Sequence, residues 1–334
     1  MRNIKNFEPD YTNIVKAANN IRPDRMPLYE HKISEKVMDK ITNRKFAELL
    51  EGNKKDKSEF FENYIGFYKL MGYDTVSFER GIAYIMPGSG ALTSNKPGTI
   101  KTREDFKRYP WDSIPGMFFE KYSEDYELLR EKMPPGMKAI GGPGFGVFEC
   151  VQDVVGYADL CYISVDDPEL YEDLFYAVGN MMFEIWKEFL KRYGDIYCVS
   201  RFGDDLGYKS GTLISPNDIK SIVIPQYRRI IDLIHSYNKP FLFHSCGNIF
   251  DVMDDIIDIA RIDAKHSNED QIAPFSTWVD KYGERIGNFG GVDTDHLCRK
   301  SEYEIKEIVK DVISHSINRG GFALGSGNSI PDYV

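Results

Sequence analysis

The chain has 334 residues, which is long enough to bury a large core as one barrel or as two ordinary domains. Hydrophobic residues make up 42% and charged residues 28% of it, a composition that excludes a disordered or a membrane-embedded protein. Acidic residues outnumber basic residues by 52 to 42, and the formal net charge of -10 argues against nucleic acid or an anionic membrane as a partner.

Three features of the sequence favour a cytoplasmic location. No apolar run approaches the roughly 18 residues that a membrane-spanning helix needs, and the N-terminal segment lacks the apolar core of a signal peptide. The 5 cysteines are an odd number and include no C-x-x-C pair, so a disulfide framework is not expected.

Short apolar runs alternate with longer segments of helical period along the chain. Eight of the short runs predict strands, at residues 27–31, 75–79, 138–142, 197–205, 241–246, 262–267, 286–293 and 321–327. This alternation predicts an α/β fold, a TIM (β/α)8 barrel with N-terminal helical additions. We expect a single domain over residues 1–334 with an N-terminal extension over residues 1–26. An open doubly wound sheet is the alternative.

Three of the intervening segments carry helical signals. Ser301 and Glu304 form a capping-box pattern ahead of an apolar stripe, and Ser215 with Pro216 predicts a second helix start. Residues 249–260 repeat apolar side chains on one helical face. The chain stops 7 residues after the last predicted strand, so the eighth outer helix of the barrel is expected to be missing.

Polar or ionisable side chains stand at the ends of most predicted strands. Because the carboxyl ends of barrel strands surround one mouth, where the active sites of this fold lie, we expect these residues to form the site. The candidates for catalysis are Asp204, Asp205 and Glu79. The candidates for substrate binding are Glu30, His31, Arg201, Asp293 and Asn328.

The segment HSCGN, residues 244–248, is the sharpest chemical signal in the sequence. Residues two apart on a strand point to the same side, so the imidazole of His244 and the sulfur of Cys246 can bind one ion. This pair of ligands favours zinc, and a catalytic zinc uses three protein ligands. Glu269 is the first choice for the third and His266 is its rival. The alternative is a buried cysteine beside a hydrogen-bonded core histidine.

The segment RFGDDLG, residues 201–207, places adjacent carboxylates after the fourth predicted strand. Neighbouring residues on an extended chain point in opposite directions, so only one of Asp204 and Asp205 is expected to face the mouth. The other would hold a loop or pair with Arg201; a general acid, a substrate acceptor and a helix cap stay open as roles. The glycine-rich segment 141–146 matches no phosphate-binding pattern, so we expect a close turn at the barrel rim there.

From Arg22 onward the sequence resembles the uroporphyrinogen decarboxylase superfamily in its strand order, in DDLG followed by SP, in HSCGN and in the late GGVDT. It is more closely similar to the corrinoid-dependent methyltransferases of that superfamily. The resemblance implies a barrel with zinc held partly by an H-x-C pair, onto which His244 and Cys246 map. The third cysteine ligand of the coenzyme M enzymes falls at Asn328, whereas cobalamin-independent methionine synthases carry a glutamate at a place comparable to Glu269.

The resemblance implies transfer of a methyl group between a small methylated substrate, such as an aryl methyl ether, and the cobalt of a corrinoid. A separate corrinoid protein would carry this cofactor as partner, because the chain lacks a recognisable cobalamin-binding domain, and zinc would act as a Lewis acid. A homodimer stays open. Two alternatives are a tetrapyrrole decarboxylase and a non-catalytic small-molecule-binding barrel.

Overall fold

The computed structural model describes residues 7–334. The helices are α1 (Thr12–Ala18), α2 (Glu35–Thr42), α3 (Lys54–Leu70), α4 (Arg103–Arg108), α5 (Ile114–Lys132), α6 (Val147–Val155), α7 (Tyr157–Asp166), α8 (Pro168–Tyr193), α9 (Pro216–Asp218), α10 (Ile224–Ser236), α11 (Phe250–Asp255), α12 (Phe275–Tyr282), α13 (Thr294–Arg299) and α14 (Glu302–Ser316). The strands are β1 (Thr75–Gly81), β2 (Lys138–Gly144), β3 (Tyr197–Gly203), β4 (Gly207–Tyr208), β5 (Gly211–Thr212), β6 (Phe241–His244), β7 (Ala264–His266), β8 (Gly287–Val292) and β9 (Phe322–Ser326).

Seven strands form one parallel sheet in the order β1-β2-β3-β6-β7-β8-β9, and helices connect them. The sheet curls into an α/β barrel, which confirms the predicted fold. The strands β4 and β5 form a separate antiparallel hairpin after β3. Seven of the eight predicted strands therefore coincide with strands of the barrel sheet.

The remaining predicted strand, residues 27–31, is reduced to a bridge between the two edges of the sheet. Leu28 pairs in parallel with Leu324 of β9, and Tyr29 N donates to the carbonyl of Leu324 across 2.9 Å. On the other side, the hydroxyl of Ser77 in β1 donates to the carbonyl of His31. Because proline lacks an amide hydrogen, Pro27 contributes only its carbonyl oxygen to the pairing.

Helix α1 covers the end of the barrel opposite to the carboxyl ends of the strands. Its residues Ile14, Ala17 and Ala18 are buried in one apolar cluster with side chains of the strands. A Cβ atom on Gly321, just before β9, would lie 1.9 Å from the carbonyl oxygen of Ala17, so the close approach of α1 requires glycine there. The first 6 residues of the predicted extension lie outside the described residues.

The predicted helix signals are found in the structure. Ser301 accepts from the amide of Glu304 in a complete capping box, and Ser215 accepts from Asp218 N. Between α9 and α10 a π-helical turn, Ile219–Val223, precedes Pro225, and the helical segment continues through this proline. None of the helices in residues 7–334 combines the length and apolar character needed to cross a bilayer.

Candidate functional site

His244 ends β6, and Cys246 follows on the loop that leads to α11. Nε2 of His244 lies 3.5 Å from Sγ of Cys246, so the two side chains converge as the alternation of strand residues predicts. Gly247 has φ +79, and a Cβ atom there would lie 2.1 Å from the main chain of Gly207, so only glycine fits this turn. Asn248 Oδ1 then accepts from the amide of Phe250 at the start of α11.

Asp205 brings a carboxylate to this pair. Its Oδ1 accepts from Cys246 N across 2.8 Å and lies 3.8 Å from Nε2 of His244, and one ligand atom from each of the three residues lies within 4.8 Å of the others. The predicted third ligand, Glu269, is not in this group, and its Oε1 accepts from the amide of Gly247 across 3.1 Å. The carboxylate that converges on His244 and Cys246 is thus that of Asp205.

The sulfur of Cys246 has two further polar neighbours. Nδ2 of Asn328 donates to it across 3.2 Å, and Oγ of Ser267 lies 3.9 Å away. Burial and then the nearby carboxylate of Asp205 raise the pKa of this thiol, while the two hydrogen bonds oppose that rise. A positive charge beside the sulfur is therefore needed for a thiolate at neutral pH.

Two more imidazoles pack against His244. Nδ1 of His266, at the end of β7, lies 2.8 Å from Nδ1 of His244, and the ring of His31 stacks on His244 with centroids 3.8 Å apart. Burial lowers the pKa of His244 well below its usual value and that of His266 to about 3. Both rings are therefore neutral at physiological pH.

Arg201 lies inside the barrel and is fully buried. Its Nη2 and Nε donate to Oε2 of Glu79 across 2.8 and 3.2 Å, and its Nη1 donates to Tyr29 Oη and Ser77 Oγ, each across 2.8 Å. Of the two alternatives for the second aspartate, pairing with Arg201 is not found, because Arg201 points into the barrel toward β1. All of these acceptors of the guanidinium are side chains of the protein itself.

Asp204 lies on the outer side of the barrel wall, and no part of it reaches the mouth. Its oxygens accept from Phe148 N, Glu149 N and the hydroxyl of Tyr227 across 2.9, 2.8 and 2.5 Å. Burial raises its pKa to about 7. Asp204 therefore caps α6. The sequence predicted it among the catalytic side chains, but it does not lie with them. A Cβ atom on Gly146 would lie 2.1 Å from Asp204, which explains the last glycine of the glycine-rich segment.

The other predicted substrate residues lie in two places. Glu30 is buried beside β9, where Ser326 donates its amide and hydroxyl to the carboxylate, and burial raises the pKa of Glu30 to about 7. Asp293 caps α13 and also accepts from Asp270 N. A cleft of about 270 Å³ beside Asn328 is lined by Lys209, Asn268, Glu269, Asp270, Gln271, Asp293, Thr294, Asp295 and His296.

Two residues of the site escaped the sequence analysis. Glu149 stands in the first turn of α6, and burial followed by the charges of Asp205 and Asp204 raises its pKa well above the usual value. Lys265 is 3% exposed, lies 3.9 Å from the ring centroid of Trp278, and has a pKa lowered to about 7 by burial. The signals available in the sequence were the position of Glu149 just after the glycine-rich segment and that of Lys265 next to His266.

The fold and the site define an α/β barrel whose imidazole, thiol and carboxylate groups converge at the carboxyl ends of the strands. The sequence profile of the uroporphyrinogen decarboxylase (URO-D) family matches residues 11–333, so the chain belongs to this family. No curated protein sequence matches it.

Solved structures with a similar fold include two proteins that are distant in sequence. A methyltransferase from Methanosarcina mazei is 17% identical with a TM-score of 0.70, and the match covers 98% of this chain and 96% of that one. A B12-independent methionine synthase from Shewanella sp. is 13% identical with a TM-score of 0.50, and the match covers 82% and 81%. At these identities the likeness concerns the fold.

Proposed function

We propose that this protein is a zinc-dependent methyltransferase that moves a methyl group between a small methylated substrate and the cobalt of a corrinoid carried by a partner protein. The observation that carries the proposal is the distance of 3.5 Å between His244 Nε2 and Cys246 Sγ. Two such ligands of one tetrahedral zinc ion are about 3.6 Å apart, given the usual lengths of Zn–N and Zn–S bonds. The pair is thus already spaced for a shared ion.

The chemistry of the donor set also fits zinc. A neutral imidazole, a cysteine sulfur and a carboxylate are three ligands of the types that zinc selects, which leaves a fourth position for substrate. Asp205 is the carboxylate that we assign to this set, in place of Glu269. A zinc ion bound there would act as a Lewis acid on the heteroatom that loses or gains the methyl group.

The chain's own side chains prepare the site for this reaction. Asn328 and Ser267 donate hydrogen bonds to Cys246 Sγ, which favours the thiolate over the thiol. Cys246 N holds the carboxylate of Asp205 beside the pair. Burial raises the pKa of the partly buried Glu149 well above its usual value, which favours the protonated form that can donate a hydrogen bond to a substrate oxygen.

The charges at the mouth favour a substrate without negative charge. The cleft beside Asn328 carries four carboxylates and one ammonium group, that of Lys209, and the buried guanidinium of Arg201 is already bonded to Glu79, Tyr29 and Ser77. A tetrapyrrole with many carboxylates would meet repulsion there. An aryl methyl ether fits better, and the functions of the two structural neighbours, a methyltransferase and a methionine synthase, agree with methyl transfer.

Metal analysis tests the proposal. We expect about one zinc ion per chain by mass spectrometry, lost in Cys246→Ser and retained in Cys161→Ser, a matched change at an exposed cysteine. With cob(I)alamin as methyl acceptor and a panel of methoxy-aromatic compounds as donors, the wild type should form methylcobalamin and Cys246→Ser should not. Zinc-free protein that binds these compounds without turnover would favour a binding barrel, and metal-independent turnover of uroporphyrinogen would favour a decarboxylase.

A further inference from the structure

A line of hydrogen-bonding groups runs from the barrel wall to the candidate metal centre. The carbonyl oxygen of Ser326 lies 3.0 Å from Nε2 of His266, and Nδ1 of His266 lies 2.8 Å from Nδ1 of His244. The other nitrogen of His244, Nε2, lies 3.5 Å from Cys246 Sγ. The line therefore ends at the atom that would bind the metal.

The acceptor at the start of this line determines where each hydrogen lies. A carbonyl oxygen only accepts, so Nε2 of His266 must carry a hydrogen and donate it to Ser326. In a neutral imidazole the second nitrogen then has a lone pair, so Nδ1 of His266 accepts and Nδ1 of His244 donates. Nε2 of His244 is left with its lone pair, on the side of Cys246 and of Asp205, whose Oδ1 is 3.8 Å away.

We infer that His266 is a positioning residue that fixes His244 in the Nδ1–H tautomer and thereby presents Nε2 of His244 to the metal. The tautomer follows from the hydrogen bonds of two neutral rings. Its purpose rests on the zinc of the proposed function, because a metal-bound histidine is oriented by the group that accepts its other N–H.

The same distances argue against His266 as a ligand. Two nitrogen ligands of a tetrahedral zinc ion are about 3.3 Å apart, whereas the two Nδ1 atoms of His244 and His266 are 2.8 Å apart, which is the length of a hydrogen bond. These two atoms therefore share a hydrogen and not an ion. Both nitrogens of His266 are already engaged, one by His244 and one by Ser326. His266 therefore positions the ligand His244 and is not itself a ligand.

His31 restrains the same ring in another way. It stacks on His244 with an interplanar angle of 16°, and its Nδ1 lies 3.4 Å from the hydroxyl of Tyr29. That hydroxyl accepts from Arg201, so its own hydrogen is free to be donated to His31. His31 thus fixes the plane of the His244 ring, while His266 fixes its tautomer.

The tautomer can be measured in metal-free wild-type protein. Long-range ¹H–¹⁵N correlation spectra of protein labelled at histidine distinguish the two neutral tautomers by their ¹⁵N shifts. We expect a protonated Nδ1 and an unprotonated Nε2 for His244, and the opposite assignment for His266. An Nε2–H tautomer of His244 would overturn the inference, whether or not the protein binds zinc.

Two matched variants separate the two hydrogen bonds of His266. In His266→Asn the amide oxygen can take the place of Nδ1 and still accept from His244, whereas in His266→Gln the amide nitrogen takes the place of Nε2 and still donates to Ser326. Competition with a chromophoric chelator should give a zinc affinity within about threefold of wild type for His266→Asn. For His266→Gln it should be about 10- to 100-fold weaker.

The outcomes are distinct. Equal, large losses of zinc affinity in both variants would mean that His266 is itself a ligand, and unchanged affinity in both would mean that it positions nothing; either result overturns the inference. Absence of zinc from the wild type would defeat the proposed function instead, and the tautomer measurement would still decide the inference. That measurement also decides it if a variant fails to fold.

Discussion

The carboxylates of Asp204 and Asp205, neighbours in the chain, lie on opposite sides of the barrel wall. Asp204 is fully buried against α6 and Tyr227, while Asp205 faces the mouth with 41% of its side chain exposed. Asp204 thus holds the fold together while Asp205 faces the mouth, as expected for neighbouring residues of an extended segment.

The same amide substitution at these two positions should have opposite effects. Asp204→Asn turns an NH₂ group toward the amides of α6, so we expect the free energy of unfolding to fall by about 1–3 kcal/mol in urea denaturation. Zinc affinity should be nearly unchanged. Asp205→Asn should weaken zinc binding at least about tenfold and leave stability nearly unchanged. Each variant is the control for the other, and identical behaviour of the two would contradict the assignment of Asp205.

Glu30 should make the protein less stable as the pH rises. Burial raises its pKa from 4.5 to about 7, so the folded state keeps a proton that the unfolded chain releases in this window. The contribution of Glu30 is therefore complete below pH 4.5 and is lost toward pH 7, by up to about 1.4 kcal/mol per pH unit. In Glu30→Gln this contribution disappears. Urea unfolding of both proteins from pH 5 to 7 measures it, and parallel curves would disprove it.

The Arg201–Glu79 pair should contribute more to the free energy of unfolding than a surface ion pair does. In Glu79→Gln the buried guanidinium loses its charged acceptor, and we expect a loss of about 1–3 kcal/mol in the free energy of unfolding. Glu169→Gln is the matched control, since Glu169 is 89% exposed beside Arg103 and its removal should cost less than about 1 kcal/mol. Equal losses in the two variants, measured in urea, would show that burial of Arg201 adds nothing.

Asp153 should hold the loop that follows β1. Its carboxylate accepts from the amides of Gly90, Leu92 and Thr93 across 3.0, 2.8 and 2.9 Å. In Asp153→Ala the amides of Leu92 and Thr93 lose their acceptor, whereas the amide of Gly90 keeps the main-chain carbonyl of residue 153. Hydrogen exchange measured by mass spectrometry should therefore become faster in residues 92–93 and stay unchanged in β6. Unchanged exchange in the loop would mean that other contacts hold it.

Much of the barrel could be predicted from the sequence because each strand is a short apolar run with polar residues at its end. The convergence of His244 and Cys246 was predictable for a local reason, since residues two apart on a strand share a face. The helix starts at Ser215 and Ser301 were equally local, because each cap bonds to an amide three residues ahead.

The other relationships of the site depend on how strands pair. His244 meets His266 because the register of β6 and β7 places these residues opposite each other, and no local pattern fixes that register. The sequence predicted Glu269 as the third ligand and did not indicate Asp205, whose approach to Cys246 depends on two loops that are in contact at Gly207 and Gly247. Arg201 reaches Glu79 across β2, and the sequence alone does not show that these two residues are close.

The seal that α1 makes beneath the strands gives the barrel the form of a cup. Among residues 7–334, helix α1 packs across the floor and Ala17 touches the glycine that precedes β9. Cys246, which follows the carboxyl end of β6, lies on the side of the barrel opposite to α1. In the proposed methyl transfer, both reaction partners would approach this sulfur from that side, so the smaller one would have to bind before the larger one covers it.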